Sequence, residues 1–351
     1  MKKLIIQIPC YNEEESLPVT LADLPREVEG FDKVEWLIID DGSTDETIKV
    51  AKKHGVDHIV RHTQNRGLAY AFMSGINAGL EQGADVIVNT DADNQYCAFD
   101  IPLLTKPITD GNVEIVIGAR PIAETIHFSP VKKFLQKFGS LVVRATSRTE
   151  VADAPSGFRA FSREAAQRLM VFNEYTYTLE TIIQAGQKNM AIISVPIRTN
   201  EDLRESRLVK SIASYVKRSM VTILRIFFIY RPAKVLGWFA AASLLVGTLI
   251  GMRFTYHYLT GSGDGMVQSL ILAGVLLTVG FQSGLAALLA DLISANRRLS
   301  EEIRFRQLVF SDLLSVHGDK SSKLEVPEVI KTRHELQQRI KEDANSRRKA
   351  G

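Results

Sequence analysis

Two short acidic motifs are the parts of this chain best suited to do chemistry. Asp40-Asp41 follows the apolar run from Val34 to Ile39, and Asp91-Ala92-Asp93 follows the run from Asp85 to Asn89. A divalent cation such as Mg²⁺ binds carboxylate oxygens together with substrate phosphates and water. Gln95, just beyond the second motif, can add a neutral oxygen. Two such motifs, each at the end of a predicted strand, therefore predict a metal site that holds a diphosphate.

Strands and helices must alternate to bring these motifs together. Strands are predicted at the apolar runs 4–8, 34–39, 57–61, 85–89 and 115–118. Helices are predicted at 13–24, in the segment that opens at 43–46, and from 68 to 80. This alternation predicts a Rossmann-like, mostly parallel α/β sheet with helices on both faces. In such sheets, ligands bind outside the carboxyl ends of the strands. Polar clusters follow four of the predicted strands, at Pro9 to Glu13, Asp40-Asp41, Asp91 to Asp93 and Ala119-Arg120.

Two long apolar segments in the second half of the chain predict a membrane hairpin. Val235 to Met252 and Met266 to Ala290 carry no charged residue. Each is long enough to cross a hydrocarbon core of about 30 Å at about 1.5 Å per residue. Arg231 and Lys234 precede the hairpin and Arg297-Arg298 follows it. The positive-inside rule therefore places both ends of the hairpin in the cytoplasm.

The segment before the hairpin has a different character. From Ser206 to Tyr230, lysine and arginine interleave with apolar residues, a pattern typical of helices that lie in the membrane interface. An ordinary basic surface helix is the alternative. The predicted organisation is a catalytic domain at 1–205, amphipathic juxtamembrane helices at 206–233, two transmembrane helices at 234–292, and a cytoplasmic helical tail at 293–351.

Small residues recur within both predicted spans. Gly247 and Gly251 form one small-x-x-x-small pair, and Gly280 and Gly284 form another. Such pairs allow close helix packing. The sequence leaves open whether they pack within the hairpin or between the protomers of a homo-oligomer.

Composition excludes some classes of protein. The formal net charge is only +3, whereas nucleic-acid-binding domains are usually far more basic. Cys10 and Cys97 are the only cysteines, which favours a reducing compartment. Met1-Lys2-Lys3 leads straight into a short strand without a signal-peptide pattern. We therefore expect an integral membrane protein of the cell membrane whose catalytic domain is cytoplasmic.

Six motifs occur in order within roughly the first 210 residues. They are Pro9-Cys10-Tyr11-Asn12-Glu13-Glu14, Ile39-Asp40-Asp41-Gly42-Ser43-Thr44-Asp45, Asn65-Arg66-Gly67, Asp91-Ala92-Asp93-Asn94-Gln95, Ser156-Gly157-Phe158-Arg159 and Glu205-Ser206-Arg207-Leu208. Together they resemble family 2 glycosyltransferases of the GT-A fold, in the branch of polyprenyl- and dolichyl-phosphate sugar synthases. The hairpin also fits the membrane-anchored members of that branch, so the resemblance implies a nucleotide-sugar donor and a lipid phosphate acceptor.

The resemblance implies a role for each matched position. Nucleotide contacts are implied for Pro9, Tyr11, Glu13, Asp41, Asp91 and Ala92. Mg²⁺ or Mn²⁺ would be held, with the diphosphate, by Asp91, Asp93 and Gln95. Arg120 would contact phosphate at the active centre, beside the catalytic Asp93.

The expected acceptor needs cations more than it needs a base. A phosphate monoester has a second pKa of about 6 and is largely dianionic at neutral pH. Basic residues that could attract it are Lys132, Lys133, Arg159, Arg204 and Arg207. We select Lys132, Arg204 and Arg207 as the lipid-phosphate site. Arg207 is favoured because it matches the family's basic position just before the membrane helix.

Two acidic residues leave a choice of roles. Glu180 falls where many family 2 enzymes place an acidic residue near the acceptor. It is our third catalytic candidate, as a general base or as a residue that orients a loop or pairs with an arginine. Asp153 is ambiguous in the same way, whereas His127 is interpreted as structural.

We therefore expect a metal-dependent, inverting glycosyltransferase that moves a single sugar from a UDP- or GDP-sugar to polyprenyl or dolichyl phosphate on the cytoplasmic leaflet. A hydroxyl acceptor such as diacylglycerol is the alternative enzyme, and it would need a base. A non-catalytic membrane scaffold is disfavoured because Asp41, Asp91 and Asp93 are all present. Departures from the family pattern at Asn94 and Cys97 leave the sugar and the nucleotide open.

Overall fold

A computed structural model describes residues 1–121, 149–171, 177–200, 232–261 and 267–318 of the chain, with side chains described to residue 310. Residues 1–302 form one compact unit, and residues 303–351 form a second.

The first 200 residues alternate strands and helices, as the sequence predicts. The elements in order are β1 (Lys3–Cys10), α1 (Leu17–Asp23), β2 (Lys33–Asp40), α2 (Thr47–Lys53), β3 (His58–Arg61), α3 (Leu68–Glu81), β4 (Val86–Asn89), α4 (Ile101–Thr109), β5 (Ile115–Ala119), β6 (Arg159–Ser162), α5 (Arg163–Arg168), α6 (Thr178–Gln187) and β7 (Ile192–Pro196). A single turn of 3₁₀ helix, Ala98–Asp100, leads into α4.

The strands form a seven-stranded sheet in the order β3-β2-β1-β4-β6-β5-β7. Neighbouring strands are parallel except for β6, which runs antiparallel to both β4 and β5. The sheet is therefore mixed and mostly parallel, which confirms the predicted α/β class. The reversal at β6 was not predicted, and it brings the start of β6 to the edge where the parallel strands end.

Alternation of side chains along the strands divides the core into two layers. In β1, Ile5 packs into one buried cluster with Phe72 of α3, whereas Leu4 and Ile6 pack into the other. Successive residues of a strand point to opposite faces, so apolar residues at every position require a cover on both faces. The continuous apolar run of β1 is explained by this double cover.

One predicted helix is shorter than expected. The pattern from 13 to 24 predicts a helix over the whole segment, yet α1 begins only at Leu17, next to Pro18. Proline lacks an N–H group and is tolerated only in the first turn of a helix. Glu13 and Ser16 therefore stay outside the helix, where the Ser16 hydroxyl donates to the Glu13 carboxylate at 2.6 Å.

Two long helices follow the sheet domain. These are α7 (Pro232–Leu259, 28 residues) and α8 (Val267–Gly318, 52 residues). Among the described residues, both are long and apolar enough to cross a membrane, and their apolar segments are mostly exposed in the isolated chain. α8 continues as one helix past the predicted boundary at residue 293.

Glycines at the contact between α7 and α8 explain how the two helices approach. A Cβ atom on Gly280 would lie 2.7 Å from the Leu244 side chain, and one on Gly247 would lie 3.1 Å from Leu277. A Cβ atom on Gly251 would meet nothing within 4 Å. The sequence leaves open whether these glycines pack within the hairpin or between protomers. In the structure, Gly247 and Gly280 lie at the contact within the hairpin.

We predict that Gly42→Ala destabilises the domain more than Gly83→Ala does. Both glycines have a left-handed backbone, with φ of +77° and +78°. A Cβ atom on Gly42 would lie 2.6 Å from the carbonyl carbon of Gln64, whereas one on Gly83 would meet nothing within 4 Å. Each variant should lose about 1–2 kcal/mol from the backbone conformation, and Gly42→Ala should lose about 1–3 kcal/mol more from overlap.

Thermal unfolding of the two variants, side by side, measures the difference. At about 2–4 °C per kcal/mol, Gly42→Ala should melt several degrees below Gly83→Ala. Equal melting temperatures would show that the turn after β2 moves freely away from the Gln64 backbone.

Candidate active site

The predicted site residues converge on one edge of the sheet. β2, β1 and β4 are adjacent and parallel, so Asp40-Asp41, Tyr11 and Asp91 follow the ends of neighbouring strands. The chain passes from β1 to β2 on one side and returns to β4 on the other. This is the topological switch point at which open α/β sheets bind ligands.

Asp41 organises the loop that precedes α3. Its carboxylate accepts hydrogen bonds from the backbone N–H groups of Arg66 (2.9 Å) and Gly67 (2.8 Å). Nδ1 of His62 lies 2.8 Å from the same carboxylate. Arg66 in turn lies over the ring of Tyr70, with 3.3 Å from its guanidinium carbon to the ring centroid. Asp41 is buried, and these contacts fix the Asn65-Arg66-Gly67 motif against the first acidic motif.

The loop after β1 is joined to the loop after β2 by side-chain to backbone hydrogen bonds. Asn12 adopts a left-handed backbone (φ +55°). Its N–H donates to the Ser43 hydroxyl at 2.9 Å, and its side-chain oxygen accepts from the N–H of Thr44 at 2.9 Å. The Glu13 N–H donates to the Thr47 hydroxyl at 2.9 Å. Within this region Pro9 is buried in β1, and Tyr11 is 43% exposed at the rim.

The second acidic motif is clamped from both sides. The Ala92 carbonyl accepts from the Thr20 hydroxyl of α1 at 2.9 Å. Asn94 has a left-handed backbone (φ +56°), and its amide donates to Asp23 at 2.8 Å. The Gln95 carbonyl accepts from the N–H of Asn200 at 2.9 Å. The loop that carries Asp91 and Asp93 is therefore held in place before any ligand binds.

Asp91 lies against Gly157, the glycine of the Ser156-Gly157-Phe158-Arg159 motif. A Cβ atom at Gly157 would lie 3.1 Å from both carboxylate oxygens of Asp91. Burial raises the pKa of the Asp91 carboxyl above its usual range, and the charge of neighbouring Asp93 raises it further. The charge of Arg120 opposes this effect. Two carboxylates that repel each other at a half-buried edge form an arrangement that a cation would stabilise.

A buried polar network supports Asp91 from below. The Tyr96 hydroxyl accepts the N–H of Gly157 at 2.9 Å. The same hydroxyl lowers the pKa of the Asp91 carboxyl, against the larger effects of burial and of Asp93. The Asn89 amide donates to the Gly157 carbonyl and to the Tyr177 hydroxyl, both at 2.9 Å. Gln7 completes the network by donating to the side-chain oxygen of Asn89 at 2.8 Å. The Oε1 atom of Gln7 is the exception in this network, because it is buried without a hydrogen-bond partner.

Arg120 is held in place by Asp153. Its Nε donates to one carboxylate oxygen at 2.7 Å, and its terminal nitrogen donates to the other at 3.2 Å. This bidentate pair is largely buried, and the hydrogen bond to Asp153 raises the pKa of Arg120 despite the opposing effect of burial. The guanidinium is therefore fixed beside the acidic pair, where it could face a diphosphate.

Arg159 does not fit its predicted role as a candidate for the acceptor phosphate. It is fully buried, and it donates to the carbonyls of Ala154, Ser156 and Thr178 at 2.7 Å each. Burial lowers its pKa to about 10. These hydrogen bonds tie the loop before β6 to the first turn of α6, so Arg159 positions the site without reaching substrate.

Glu180 lies on α6, and its carboxylate faces α8. Its carboxylate is 3.6 Å from the guanidinium of Arg297 on α8, and the Gln184 amide lies 3.5 Å from it. Of the roles that the sequence leaves open, the structure places Glu180 in an ion pair with an arginine. Its role as a general base remains a prediction.

Several predicted residues lie outside the described residues. They are Lys132, Lys133, Arg204, Arg207 and His127. Their predicted roles, and the predicted lipid-phosphate site, therefore remain predictions.

The residues present fit a divalent cation. No cluster of three or more potential metal-ligating side chains occurs among the residues that the structure describes. Mg²⁺ is typically held by one or two carboxylates, with substrate phosphates and water completing its shell. Asp91 and Asp93 supply such a pair. Gln95 is half-buried nearby, and its backbone N–H donates to the Asp93 carboxylate at 3.3 Å.

Sequence reasoning missed the residues that support this pair. Tyr96, Tyr177 and Gln7 belong to no motif, and Tyr177 contacts Asn89 across 88 positions of the chain. One signal was available, because Gln7 and Asn89 are polar residues within otherwise apolar strands. A buried polar side chain needs a partner, so both positions predict a buried hydrogen-bonded network.

The sequence of this chain is similar to those of known proteins. The model of glycosyl transferase family 2 matches residues 5–170. A UDP-N-acetylglucosamine–dolichyl-phosphate N-acetylglucosaminyltransferase of Methanococcus voltae is 30% identical, and the match covers 56% of this chain and 86% of that protein. An undecaprenyl-phosphate mannosyltransferase of Micrococcus luteus is 29% identical, with 59% and 87% covered. The chain belongs to glycosyl transferase family 2.

The fold is that of a GT-A glycosyltransferase. Glucosyl-3-phosphoglycerate synthase from Mycobacterium tuberculosis, in complex with Mn²⁺, UDP and glucosyl-3-phosphoglycerate, superposes with a TM-score of 0.51. The two chains are 20% identical, and the superposition covers 64% of this chain and 78% of the synthase. The chain is therefore a glycosyltransferase with a GT-A-like domain and two long apolar helices.

We predict that Tyr96→Phe weakens binding of Mn²⁺ in the presence of the donor nucleotide by about 10–100-fold, the usual effect of losing a residue that orients a metal ligand. The substitution removes the hydroxyl that holds the N–H of Gly157 beside the Asp91 carboxylate and that lowers the pKa of Asp91. Calorimetric titration with Mn²⁺ measures the change. Tyr70→Phe is the matched control, because the ring of Tyr70 makes the contacts with Arg66 and His62. Unchanged affinity in Tyr96→Phe would contradict a positioning role.

We also predict that Mn²⁺ binding weakens as the pH falls from about 8 to about 5.5, well above the ordinary aspartate pKa of about 3.9. Burial and Asp93 raise the pKa of Asp91, so its proton must leave before a cation binds. At pH values below the raised pKa, the proton on Asp91 competes with the metal. At pH values above that pKa, Asp91 is ionised and the competition disappears. Asp91→Asn should bind more weakly and lose most of the pH dependence. A flat profile in the wild type would contradict the raised pKa.

Proposed function

We propose that this protein transfers a single sugar from a UDP- or GDP-sugar to polyprenyl phosphate at the cytoplasmic leaflet of the cell membrane. The observation that carries the proposal is the combination, in one compact unit, of a family 2 catalytic edge with two exposed apolar helices. An edge with paired carboxylates suits a water-soluble nucleotide donor. Helices of this length and composition suit a protein whose second substrate lies in lipid.

The related proteins support a lipid phosphate as the acceptor. The names of two relatives from different organisms specify dolichyl phosphate and undecaprenyl phosphate. Their sugars differ, N-acetylglucosamine in one and mannose in the other. The shared feature is therefore the polyprenyl phosphate, and the sugar of the present enzyme stays open.

The ion pairs at the site also favour a phosphate acceptor. A hydroxyl acceptor needs a base to remove its proton, and Asp153 and Glu180 are the sequence-based candidates. Asp153 forms a bidentate pair with Arg120, and Glu180 pairs with Arg297. Each of these carboxylates is thus already engaged by an arginine. A phosphate monoester, already largely dianionic at neutral pH, needs no such base.

The transfer can be described by what each group does. An oxygen of the acceptor phosphate attacks the anomeric carbon of the donor, the bond from that carbon to the diphosphate breaks, and the electron pair leaves on the diphosphate. A single displacement of this kind inverts the configuration of the carbon. Mg²⁺ or Mn²⁺, when bound, neutralises the charge on the leaving diphosphate.

The residues of the chain bind and orient the reactants. Asp91 and Asp93, with Gln95, would hold the cation together with the diphosphate. Arg120, fixed by Asp153, would stabilise the negative charge that grows on the leaving group. The nucleotide would lie along Pro9, Tyr11, Glu13, Asp41 and Ala92. Lys132, Arg204 and Arg207 would attract the acceptor phosphate.

The proposal predicts that one donor from a panel of labelled UDP- and GDP-sugars delivers its label to polyprenyl phosphate in detergent with Mg²⁺ or Mn²⁺. Asp93→Ala should reduce turnover by at least about 100-fold, since electrostatic stabilisation of the leaving group is usually the largest catalytic contribution. Asp110→Ala is the control, because Asp110 is exposed at the end of α4. No lipid product with any donor, despite metal-dependent nucleotide binding, would refute the acceptor and redirect the search to hydroxyl lipids.

A further inference from the structure

Two ion pairs join α8 to the catalytic domain. Glu301 lies 3.0 Å from Lys188, the residue that caps the C-terminus of α6. One turn earlier, Arg297 lies 3.6 Å from Glu180. Arg297 also bonds Glu301 at 3.0 Å along its own helix. The four residues form a chain of alternating charge, Glu180, Arg297, Glu301 and Lys188, which we call the clasp.

The clasp is sheltered from solvent. The side chains of Glu180 and Glu301 are 5% and 9% exposed, and those of Arg297 and Lys188 are 24% and 21% exposed. Exposed ion pairs contribute little because water and salt screen them. Sheltered pairs that form a network are screened less. The clasp is therefore an attachment between two elements, in contrast to the exposed pair of Glu164 and Arg168 on α5.

Two separate points of contact define an orientation. Glu180 and Lys188 are eight positions apart, which is about 12 Å along a helix at 1.5 Å per residue. A single ion pair would let the helices swivel about one point, whereas two pairs at this separation limit that motion. α6 therefore has a defined angle to α8 as well as a defined distance from it.

The N-terminal turn of α6, which carries Glu180, also reaches the active site. The Tyr177 hydroxyl, at the start of α6, accepts from Asn89 in the network beneath Asp91. The Thr178 carbonyl accepts from Arg159 at 2.7 Å. The same helix is therefore bonded to the active-site network at its first turn and to α8 through Glu180 and Lys188.

The clasp lies a short distance beyond the apolar part of α8. The uncharged segment ends at Ala290, and Arg297 and Glu301 follow seven and eleven positions later. At 1.5 Å per residue, these residues are about 10 Å and about 17 Å past the end of that segment. The headgroup layer of a bilayer is about 5–8 Å thick on each side, so both residues would lie in the water just beyond it.

We propose that the clasp positions the active site at a fixed height and angle above the membrane, so that the donor sugar meets the headgroup of an acceptor that is confined to the lipid. This inference rests on the proposed function, since it assumes a lipid-borne acceptor. Lys188 and Glu301 are then positioning residues, which act through α6. They affect transfer to an acceptor held in a bilayer and leave transfer to a freely diffusing acceptor unchanged.

The test compares two acceptors with the full chain in proteoliposomes. One acceptor is a long-chain polyprenyl phosphate in the bilayer, and the other is a water-soluble isoprenyl phosphate of two isoprene units. Glu301→Lys should lower kcat/KM for the membrane-borne acceptor about tenfold and leave that for the soluble acceptor within about twofold. Combining it with Lys188→Glu should recover at least about threefold, and the recovery is partial because Arg297 loses one of its two partners, Glu301.

Glu164→Lys is the matched control. It makes the same change of charge at the exposed ion pair on α5, and it should leave both acceptors unaffected. Equal kcat/KM values for wild type and Glu301→Lys with both acceptors would overturn the proposal. An equal loss with both acceptors, without recovery in the double variant, would also overturn it, because the clasp would then serve only the stability of the fold.

Hydrogen exchange of the α6 amides separates this inference from the proposed function. In detergent, Glu301→Lys should speed exchange across residues 180–187 about fivefold or more, and adding Lys188→Glu should slow it again. If the wild type glycosylates no isoprenyl phosphate, the proposed acceptor is wrong, and the positioning proposal falls with it. Faster exchange would then still show that the clasp attaches α8 to α6, whereas unchanged exchange would refute the attachment itself.

Discussion

The site depends on keeping two carboxylates close together at the buried end of β4. Asp91 is enclosed by Gly157 and Tyr96, and the charge of Asp93 is near enough to raise its pKa. Burying a charge without a partner costs several kcal/mol. The fold accepts this unfavourable arrangement because the Tyr96 hydroxyl and the charge of Arg120 both favour the ionised form of Asp91 and lower its pKa. A cation and a diphosphate would complete a site whose geometry is set beforehand.

Most of the structure around this pair can be understood as its support. Asp41 bonds two backbone N–H groups of the loop before α3, and Asn12 bonds the loop after β2. Arg159 bonds three backbone carbonyls while fully buried. In each case a side chain bonds backbone of a different segment, so the loops are fixed without needing regular secondary structure. Preorganised loops are what electrostatic catalysis requires, since they need no rearrangement during the reaction.

Local patterns predicted much of this architecture. The strands ending at Asp40 and Asn89, the helix after Gly67, and the convergence of polar clusters at one edge all follow from short-range periodicity and the rules of parallel sheets. The direction of β6 was not predictable in this way. Its pairing with β4 joins residues about seventy positions apart, such as Asn89 and Arg159. No local pattern states which way a strand of four residues enters a sheet.

The error about Arg159 has the same origin. As an arginine in a family motif beside the active site, it had the right charge for an anion, but charge alone does not report burial. The neighbouring Ala154, Ser156 and Thr178 carbonyls, which satisfy it, come partly from another element. Tyr96 and Tyr177 were missed because the groups that bond their hydroxyls lie 61 and 88 positions away in the sequence. Motifs identify residues that lie at the site. Only the folded chain shows which of these residues face the substrates and which support the site.

A glycosyltransferase that uses a lipid-borne acceptor, as proposed for this protein, must bring a substrate from water and a substrate from lipid to one rigid edge of its sheet. The loops proposed to bind the donor are held by the sheet, and their geometry does not depend on the membrane. An acceptor confined to lipid restricts where the edge can be, and a catalytic domain joined to its anchor only through the chain would sample many heights and angles. Displacement by about 1 Å from the reactive geometry can cost about 100-fold in rate. The continuity of α8 past Ala290, and its attachment to α6 through Glu301 and Lys188, answer that requirement. In the proposed arrangement, the second apolar helix would contribute to the alignment of the reactants as well as to anchoring.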